Sequence, residues 1–527
     1  MMKRRILNSI TLLLLPALIL TGCWHESDLN TEPEELLSEE ELQSTESPDS
    51  EENHINLPEQ FALPYLSERT LDPITCSDGM QQVVSSLLYE GLFQSGTNLE
   101  PIPRLCSAYT YDSTTLTYTF TLRDGVTFSD GSPLTGADVK DTLNRARTSE
   151  RYQARLSHVT DVANYGNTVT VSLSKADSGF PALMDIPIVK STTATATAPI
   201  GTGPYLLSQE ETGAYLIANQ IWWQGNSQPV ERIALVEASN QDSMLYRFTS
   251  HEVQLITADL TGISPISATG HISYQDADTT ILQYLGCNTR RAPLNDAAFR
   301  RALYLGIDRT HIVDALLSGH GTVTQFPISP VSPLYPVNLE TRFSHDAFST
   351  ALTEAAYTAE RPLTLLVNAE NSFKVSIAQY LAETFTAAGI PVTVNSLPWE
   401  DYTHALSTGN FDLYYGEVKL TANWDISPLL SSSGRLNYGG WSDEQTNELL
   451  TAYAMADNRA VAMQTLCQHL QEQAPILPIC FKSTSVLMYA DVVSGLTPTM
   501  TEPFFNLTDC TIHLQNTPNH SDTESAD

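Results

Sequence analysis

The side chains that most often carry catalysis are scattered along this chain of 527 residues. The sequence contains none of the motifs G-x-S-x-G, H-E-x-x-H, G-x-x-x-x-G-K-[ST] and G-x-G-x-x-G, which present a nucleophile, zinc ligands or a phosphate-binding loop. Its 12 histidines are spread out, and four of them lie in separate segments: His54, His158, His251 and His320. We therefore expect a protein that is not an enzyme and that uses no cofactor and no metal.

The cysteines show no pattern typical of a metal site. Six of the seven lie in the body of the chain, with no C-x-x-C pair and no C-x-x-x-x-H pair, so no zinc motif is present. Six are too few for a disulfide scaffold in a chain of this length. Disulfides and buried free thiols both remain open for Cys76, Cys106, Cys287, Cys467, Cys480 and Cys510.

The charge of the chain excludes one class of partner. Lys and Arg number 27 against 61 Asp and Glu, which gives a formal net charge of −34 at pH 7. A surface this acidic repels phosphate backbones and anionic lipid headgroups. We therefore expect no nucleic-acid partner.

The first residues predict export and a lipid anchor. A basic group at 3–5 precedes a mostly apolar stretch at 6–20, as in a secretory signal, and 15 residues are short for a helix that spans a bilayer. The stretch ends in Leu20-Thr21-Gly22-Cys23, which resembles the lipobox of bacterial lipoproteins. The resemblance implies cleavage of a signal peptide at 1–22, a diacylglycerol on the Cys23 thiol, and attachment to the extracellular or periplasmic face of the cell membrane.

A strongly acidic segment follows the anchor. Residues 24–60 hold 13 acidic residues and no Lys or Arg, among many Ser, Thr and Pro. Such a segment buries too little apolar surface to offset the entropy of ordering it. We predict an acidic disordered tether at 23–56, with a short acidic helix over Glu34–Leu42 as the alternative, and a second disordered tail at 516–527.

The body of the chain alternates strands and helices. Thr115–Leu122 alternates polar and apolar residues, and Asp124-Gly125 predicts a turn into a hairpin with Val126–Phe128. Thr135 lies three residues before Asp138, which predicts a capped helix with Val139, Leu143 and Ala146 on one face.

A later region has the pattern of an open α/β sheet, because three strands alternate with two helices over short links. The predicted strands are Pro362–Asn368, Val392–Leu397 and Phe411–Val418, the helices between them are Phe373–Ala388 and Trp399–Leu406, and two earlier helices are Asn295–Gly306 and Asp308–Leu317.

Several short motifs occur along the chain, one after another, from about residue 57 to residue 515. The longest is Thr117–Val139, T-Y-T-F-T-L-R-D-G-V-T-F-S-D-G-S-P-L-T-G-A-D-V. The others are Leu71-Asp72-Pro73, Leu88–Leu92, Gly201–Tyr205, Asn219–Trp222, Asn288 with Phe299–Leu303, Ile307–Arg309, Ala388–Ile390 and Gly409–Leu413. As an ordered set they resemble the family 5 extracellular solute-binding proteins of oligopeptide, dipeptide and nickel ABC importers.

The resemblance implies an α/β fold of the periplasmic-binding-protein type II-like class. Two lobes close about a hinge like a Venus flytrap, and a third, smaller domain is inserted in the first lobe. The expected boundaries are 57–95, 197–284 and 484–515 for lobe I, 96–196 for the inserted domain, and 285–483 for lobe II.

The same resemblance implies a function and its partners. The protein would capture a small solute, peptide first, between the lobes and deliver it as a monomer to an ABC permease with ATPase subunits. Three alternatives stay open: a secreted lipid-anchored hydrolase, a binder of nickel, a metal chelate or another non-peptide solute on the same fold, and a receptor for a peptide signal.

The resemblance also indicates site residues. Ser77 and Asp78 match a loop of the first lobe that faces the ligand, and Trp399 matches a cleft tryptophan. The carboxylate that binds the ligand ammonium in peptide-binding relatives aligns here with Thr421 or Asn423, and Asp425 takes its place only with a local shift of the alignment, so a plain peptide clamp is altered. Tyr415 and Trp424 lie at and beyond the end of a predicted strand, where open α/β sheets bind ligands. The candidate ligand-binding residues are Ser77, Asp78, Trp399, Tyr415, Glu417, Asn423, Trp424 and Asp425.

Overall fold

The computed structural model describes residues 56–225, 227–261 and 269–515. The predicted signal peptide, Cys23, the tether up to residue 55 and the tail at 516–527 lie outside these ranges. Within them, no helix combines the length and the apolar character that crossing a bilayer requires.

The strands of the described residues, numbered in chain order, form one seven-stranded sheet, two four-stranded sheets and two small pairs. They are β1 (Phe61–Tyr65), β2 (Phe93–Ser95), β3 (Pro101–Pro103), β4 (Cys106–Asp112), β5 (Thr117–Leu122), β6 (Val159–Tyr165), β7 (Thr168–Leu173), β8 (Tyr205–Glu210), β9 (Gly213–Ala218), β10 (Arg232–Glu237), β11 (Leu255–Ala258), β12 (Ile272–Cys287), β13 (Gly321–Val323), β14 (Leu363–Asn368), β15 (Val392–Leu397), β16 (Leu413–Lys419), β17 (Ile476–Tyr489), β18 (Val493–Ser494) and β19 (Thr511–Ile512).

The described residues also form eleven α-helices. They are α1 (Gly79–Leu88), α2 (Gly136–Ala146), α3 (Gln241–Thr249), α4 (Ala297–Leu305), α5 (Arg309–His311), α6 (His345–Glu354), α7 (Ser372–Ala387), α8 (Trp399–Thr408), α9 (Ser427–Leu430), α10 (Glu444–Met455) and α11 (Arg459–Gln473). A short π-helix, Ile312–Leu316, continues α5.

Lobe I is built on the sheet β1-β10-β9-β8, in which β1 and β10 run parallel. All five residues of β1 are buried. Helix α1 packs against this sheet through Val84 and Leu87, which join the same apolar core as Phe61 and Ile233. The chain returns to this core near its end, through Tyr489 and the segment after it.

The inserted domain is an antiparallel sheet, β4-β5-β7-β6, with α2 on one face. The alternation predicted for Thr115–Leu122 is confirmed, since every second residue of β5 is buried. The helix at α2 is also confirmed: the Thr135 and Asp138 side chains form a capping box, and Val139 and Leu143 are buried.

The predicted hairpin across Asp124-Gly125 is wrong. Strand β5 pairs with β4 and β7 and not with Val126–Phe128. The tight turn lies at the next Asp-Gly pair, Asp130-Gly131, where the Phe128 and Leu134 N–H groups donate to Ser132 and Val126 carbonyls. Gly125 and Gly131 both have positive φ. The Asp-Gly sequence alone therefore did not show which of the two pairs forms the tight turn.

Lobe II contains the predicted α/β unit. Strands β14 and β15 pair in parallel, and β16 runs parallel to β14 on its other side. Helix α7 buries Ile377, Leu381 and Phe385, which lie at the predicted spacing of four, and Gly389 follows it with φ +89°. This α/β prediction is confirmed to within two residues at each end.

Two long strands connect the lobes. The first part of β12 pairs with Ser483–Tyr489 of β17, and the second part pairs with Ile476–Phe481 and with β16. The register shifts between Asp278 and Leu282, so the ladder is interrupted where the strands pass from one lobe to the other. An irregularity of this kind bends a strand locally.

All six cysteines of the described residues are buried free thiols, which resolves the alternative left open above. Burial raises the thiol pKa, to about 12 for Cys287 and Cys480 and to about 11 for Cys106 and Cys510. These groups are therefore inert neutral side chains of the cores at neutral pH.

Candidate functional site

The carboxyl ends of β14, β15 and β16 meet at one edge of the lobe II sheet. The three strands run parallel, so Asn368, Leu397 and Lys419 all end at that edge. Open α/β sheets bind ligands beside this edge, because the loops there are free of the ladder and the helix N-termini point toward it. We call this edge with the residues that follow it the carboxyl edge.

Trp399 lies at the carboxyl edge with its side chain accessible. It is the first residue of α8, separated from β15 by Pro398 alone, and it is 54% exposed. Its backbone N–H donates to Glu370 Oε1 at 3.0 Å, and its ring stacks on Tyr402 at 5.9 Å between centroids. A large exposed indole at this position supports the proposed contact with a ligand, since exposed aromatic surface is stabilised when it is covered.

Glu417 lies near the end of β16 and is already paired. Its Oε2 is 3.1 Å from Lys374 Nζ, in the first turn of α7, and accepts a hydrogen bond from Gln283 Nε2 at 2.6 Å. Gln283 is fully buried, and its Oε1 has no hydrogen-bond partner among the described residues. The arrangement leaves a buried acceptor beside a neutralised acid.

Tyr415 and Trp424 have their side chains in the interior of lobe II. Each is 1% exposed, and Trp424, with φ +56°, packs edge-on against Phe481 at 5.7 Å. Within the described part of the chain, the Tyr415 hydroxyl and the Trp424 indole N–H lack hydrogen-bond partners. Burial raises the pKa of Tyr415 well above its ordinary value. A ligand role for these two residues stays a prediction.

Asn423 and Asp425 contact the inserted domain. Asn423 Nδ2 donates to Asp177 Oδ2 at 2.7 Å, and Asp425 Oδ2 lies 3.2 Å from Lys175 Nζ. Burial would raise the pKa of Asp425, but hydrogen bonding to Ser427 and the Lys175 ammonium outweigh it, and the pKa lies below its ordinary value. Asp425 is therefore an ionised acid that already has a cation.

Ser77 and Asp78 lie in the loop before α1. Asp78 is the N-cap of that helix, and its Oδ1 accepts a hydrogen bond from the Gln81 N–H at 3.1 Å. Ser77 is exposed. Helix capping explains why position 78 is an acid, and no ligand is needed to account for it. Of the two residues, only Ser77 has a side chain with no structural role assigned in lobe I.

Two basic residues at this site were missed from the sequence. Lys419 is the last residue of β16 and is exposed, and Arg151 of the inserted domain is exposed beside the Ser77 loop. Arg151 Nη1 donates to the carbonyls of Pro73 at 3.1 Å and Cys76 at 2.8 Å. Neither residue stands in a recognisable motif, so only the tertiary fold reveals them.

A cavity of about 300 Å³ lies elsewhere, between lobe I, the inserted domain and the chain end. Beside it, Glu90 is buried and accepts hydrogen bonds from five side chains, so this acid of the Leu88–Leu92 motif is structural. The donors are Arg104, Thr202, Trp222, Trp223 and Gln224. No three His, Cys, Asp or Glu side chains of residues 56–225, 227–261 and 269–515 gather in a way that could hold a metal ion.

Two lobes joined by long strands, with an inserted domain, form the hinged architecture expected from the sequence. The family model for bacterial extracellular solute-binding proteins, family 5, matches residues 100–437. The chain belongs to this family, as its motifs predicted.

Individual relatives are distant but cover most of the chain. The glutathione-binding protein GsiB of Salmonella typhi is 23% identical over 449 residues, which is 78% of this chain and 86% of the relative. A nickel ABC transporter structure from Bacillus halodurans superposes with a TM-score of 0.74 at 20% identity, covering 87% of this chain and all of that one. The oligopeptide-binding protein AppA of Bacillus subtilis, in complex with a nonapeptide, gives 0.59 at 19% identity, with 86% and 100% coverage.

Proposed function

We propose that this protein captures a small peptide or peptide-like solute between its lobes, as the substrate-binding component of an ABC importer. The observation that carries the proposal is the carboxyl edge of lobe II. There exposed Trp399 begins α8 just beyond β15, exposed Lys419 ends β16, and the sheet continues into lobe I. The glutathione and peptide ligands named for the relatives support the same class of solute.

The lipid anchor, the tether and the delivery of the solute to a permease are proposed from the sequence. Cys23 in Leu20-Thr21-Gly22-Cys23 would carry the lipid that holds the protein on the outer face of the cell membrane. The acidic segment 23–56 would then keep the folded body away from the anionic bilayer surface. From there the loaded monomer would deliver its solute to a permease powered by ATPase subunits.

Closure of the lobes requires that the solute bind the closed form more tightly than the open form. Ser77 and Trp399 are the proposed contacts from lobe I and lobe II, and Tyr415, Glu417, Asn423, Trp424 and Asp425 support the lobe II wall. The acid that clamps a ligand ammonium is replaced, since Asn423 is neutral and Asp425 is paired with Lys175. A free amino terminus should therefore matter little to affinity.

The test is recovery of the solute itself. Protein purified under native conditions is denatured, the released small molecules are identified by mass spectrometry, and each is added back to ligand-stripped protein. A true ligand at 100 times its Kd should add about 2.7 kcal/mol to the free energy of unfolding. Trp399→Ala should weaken binding, whereas Ile221→Ala, an equally exposed apolar residue of lobe I (51% against 54%), should not. Absence of any stabilising peptide or peptide-like solute contradicts the proposal.

A further inference from the structure

Leu99 of the inserted domain is buried in an apolar core of lobe II. It lies in the loop between β2 and β3, at the tip of a hairpin, and is 2% exposed. The other buried members of its cluster among the described residues lie between Leu282 and Phe481, and they include Trp424 and Tyr453. The burial of Leu99 therefore depends on contact between the inserted domain and lobe II.

The hairpin presents this leucine through its own backbone. The Gly96 N–H donates to the Glu100 carbonyl at 2.9 Å, and the Leu99 N–H donates to the Gly96 carbonyl at 3.0 Å. Leu99 has φ +61°, in the left-handed region that disfavours a residue with a Cβ. Contact of its side chain with lobe II accounts for a leucine at a position where the backbone favours glycine.

Polar contacts also join the inserted domain to lobe II. The Ser178 N–H donates to the Ala454 carbonyl at 2.8 Å. Two further pairs, described above, involve side chains on both sides: Asp177 with Asn423, and Lys175 with Asp425. Apolar and polar contacts thus connect the same two parts of the molecule.

Arg459, the first residue of α11, packs directly against the inserted domain. A Cβ built on Gly179 would meet Arg459 Nη2 at 2.5 Å, so this close approach requires glycine. The guanidinium also donates to the Asn423 carbonyl and lies 4.9 Å from the centre of the Tyr453 ring. We call Leu99, Arg459 and the three polar pairs the seam.

The inserted domain is fixed to lobe I. Arg104 forms ion pairs with Glu90 at 3.0 Å and with Glu502 at 2.7 Å. Arg145 pairs with Asp72 at 2.6 Å. Lobe II is joined to lobe I through β12 and β17. When the lobes part about these strands, the contacts of the seam must break, whereas the ion pairs within lobe I and the inserted domain remain.

Contacts made only in the closed form stabilise closure over any solute. We propose that the seam is a latch, in which Leu99 and Arg459 are positioning residues that hold the lobes closed and slow the departure of the solute without contacting it. This inference rests on the proposed function, since it takes a solute to be captured between the lobes. Because the latch acts equally on every solute, it sets the retention time and leaves the order of preference among solutes unchanged.

The first experiment measures how fast a solute leaves. Ligand-stripped full-length protein is loaded with an equimolar pool of isotope-labelled tripeptides, excess unlabelled pool is added, and the bound label is followed by mass spectrometry. Leu99→Ala removes the side chain from lobe II, and Leu99→Met restores an apolar one of similar volume. The matched control is Leu116→Ala, because Leu116 also has a positive φ (+53°) in a turn of the inserted domain but packs in the core of that domain.

We expect Leu99→Ala to release the label about tenfold faster than the unmodified protein, by the same factor for every tripeptide. Leu116→Ala and Leu99→Met should release it at nearly the unmodified rate. Equal release rates for Leu99→Ala and Leu116→Ala overturn the inference. Faster release of only some tripeptides also overturns it, because that pattern belongs to a residue that contacts the solute.

A second experiment needs no solute. Ser178→Cys and Ala454→Cys are introduced together, and the rate at which air oxidation joins them by a disulfide is followed by mass spectrometry of the digested protein. The six thiols of the described residues are buried and therefore react slowly. The disulfide forms when the seam is closed, so adding Leu99→Ala should slow its formation several-fold.

Equal crosslinking rates with and without Leu99→Ala overturn the inference. The two proposals fail separately. If the unmodified protein retains no tripeptide, the peptide part of the proposed function fails, and the crosslinking rate alone then decides whether the seam is a latch. If tripeptides are retained but neither rate responds to Leu99→Ala, the latch fails and the proposed function stands.

Discussion

Asp412 is a buried acid whose partners explain its place directly before β16. Arg361 donates to both of its oxygens, at 2.7 and 2.6 Å, and the Thr364 N–H donates to Oδ2 at 2.9 Å. Burial alone would raise the pKa of this carboxyl, but the hydrogen bonds from Arg361 and Thr364 outweigh it, and the pKa lies below its ordinary value. The acid therefore joins the start of β16 to the start of β14, which fixes the amino ends of two of the three strands whose carboxyl ends form the carboxyl edge.

Replacing Asp412 should cost stability in a pH-dependent way. A carboxyl whose pKa is lower in the folded state stabilises the fold above its unfolded pKa of about 3.9, and that contribution is lost as the pH falls through the folded value. Asp412→Asn should therefore lower the free energy of unfolding by about 2–4 kcal/mol at pH 7, with the difference shrinking below about pH 4. Urea titrations at several pH values measure it. The control is exposed Asp457→Asn, and equal effects of the two variants would contradict this role.

The sequence indicated which strand ends form the candidate site. It did not indicate which side chains are accessible there. Tyr415 and Glu417 lie on the same face of β16, two residues apart. The core of lobe II covers Tyr415, whereas Glu417 lies beyond that cover, next to Lys374. Likewise the turn at Asn423–Asp425 was found from the sequence, but its partners Lys175 and Asp177 are about 250 residues away and no local pattern points to them.

At the scale of helices and strands, an amphipathic pattern was sufficient to predict the element from the sequence. A uniformly apolar pattern was not. Helices α2 and α7 were predicted because one face of each is apolar at helical spacing. Strand β17 was missed because it is buried on both faces, with thirteen of its fourteen residues buried, so it shows no alternation. Its partner β12 changes from half-exposed to fully buried along its length as it passes from lobe I to lobe II.

Strands β12 and β16 pack through a reciprocal arrangement of tyrosine and glycine. Tyr284 pairs with Gly416 and Gly286 pairs with Tyr414, so each ring lies over a glycine of the other strand. A Cβ built on Gly416 would meet Tyr284 Cζ at 2.6 Å, and one on Gly286 would meet Tyr414 Cε1 at 2.1 Å. The two tyrosine hydroxyls are 3.3 Å apart and both rings are buried, so neither ring has room to move away.

Gly416→Ala should therefore destabilise lobe II. The added methyl must displace a buried aromatic ring, which costs about 1–3 kcal/mol, measured as a lower urea midpoint. Gly79→Ala is the matched control, because nothing lies within 4 Å of a Cβ at that helix start and alanine favours the helix. A Gly416→Ala midpoint no lower than that of the control would show that the sheet adapts to the methyl at little cost.

At the scale of the whole molecule, charge opposes the compact state. The excess of acidic over basic residues is 34, and like charges on a folded surface lie closer together than on an unfolded chain. The paired cations named above, including Lys374 beside Glu417 and Lys175 beside Asp425, offset only part of this repulsion.

Screening this repulsion should stabilise the protein. The Debye length falls from about 30 Å at 0.01 M salt to about 3 Å at 1 M, so added NaCl removes most of the long-range repulsion between acidic groups. We expect Tm to rise with NaCl concentration at pH 7 by roughly 2–8 °C, which corresponds to one or two kcal/mol for domains of this size. The same titration near pH 4.5, the isoelectric point, serves as the control, because there the net charge is close to zero and the rise should nearly vanish. An equal rise at both pH values would assign the effect to general salting-out of apolar surface rather than to net charge.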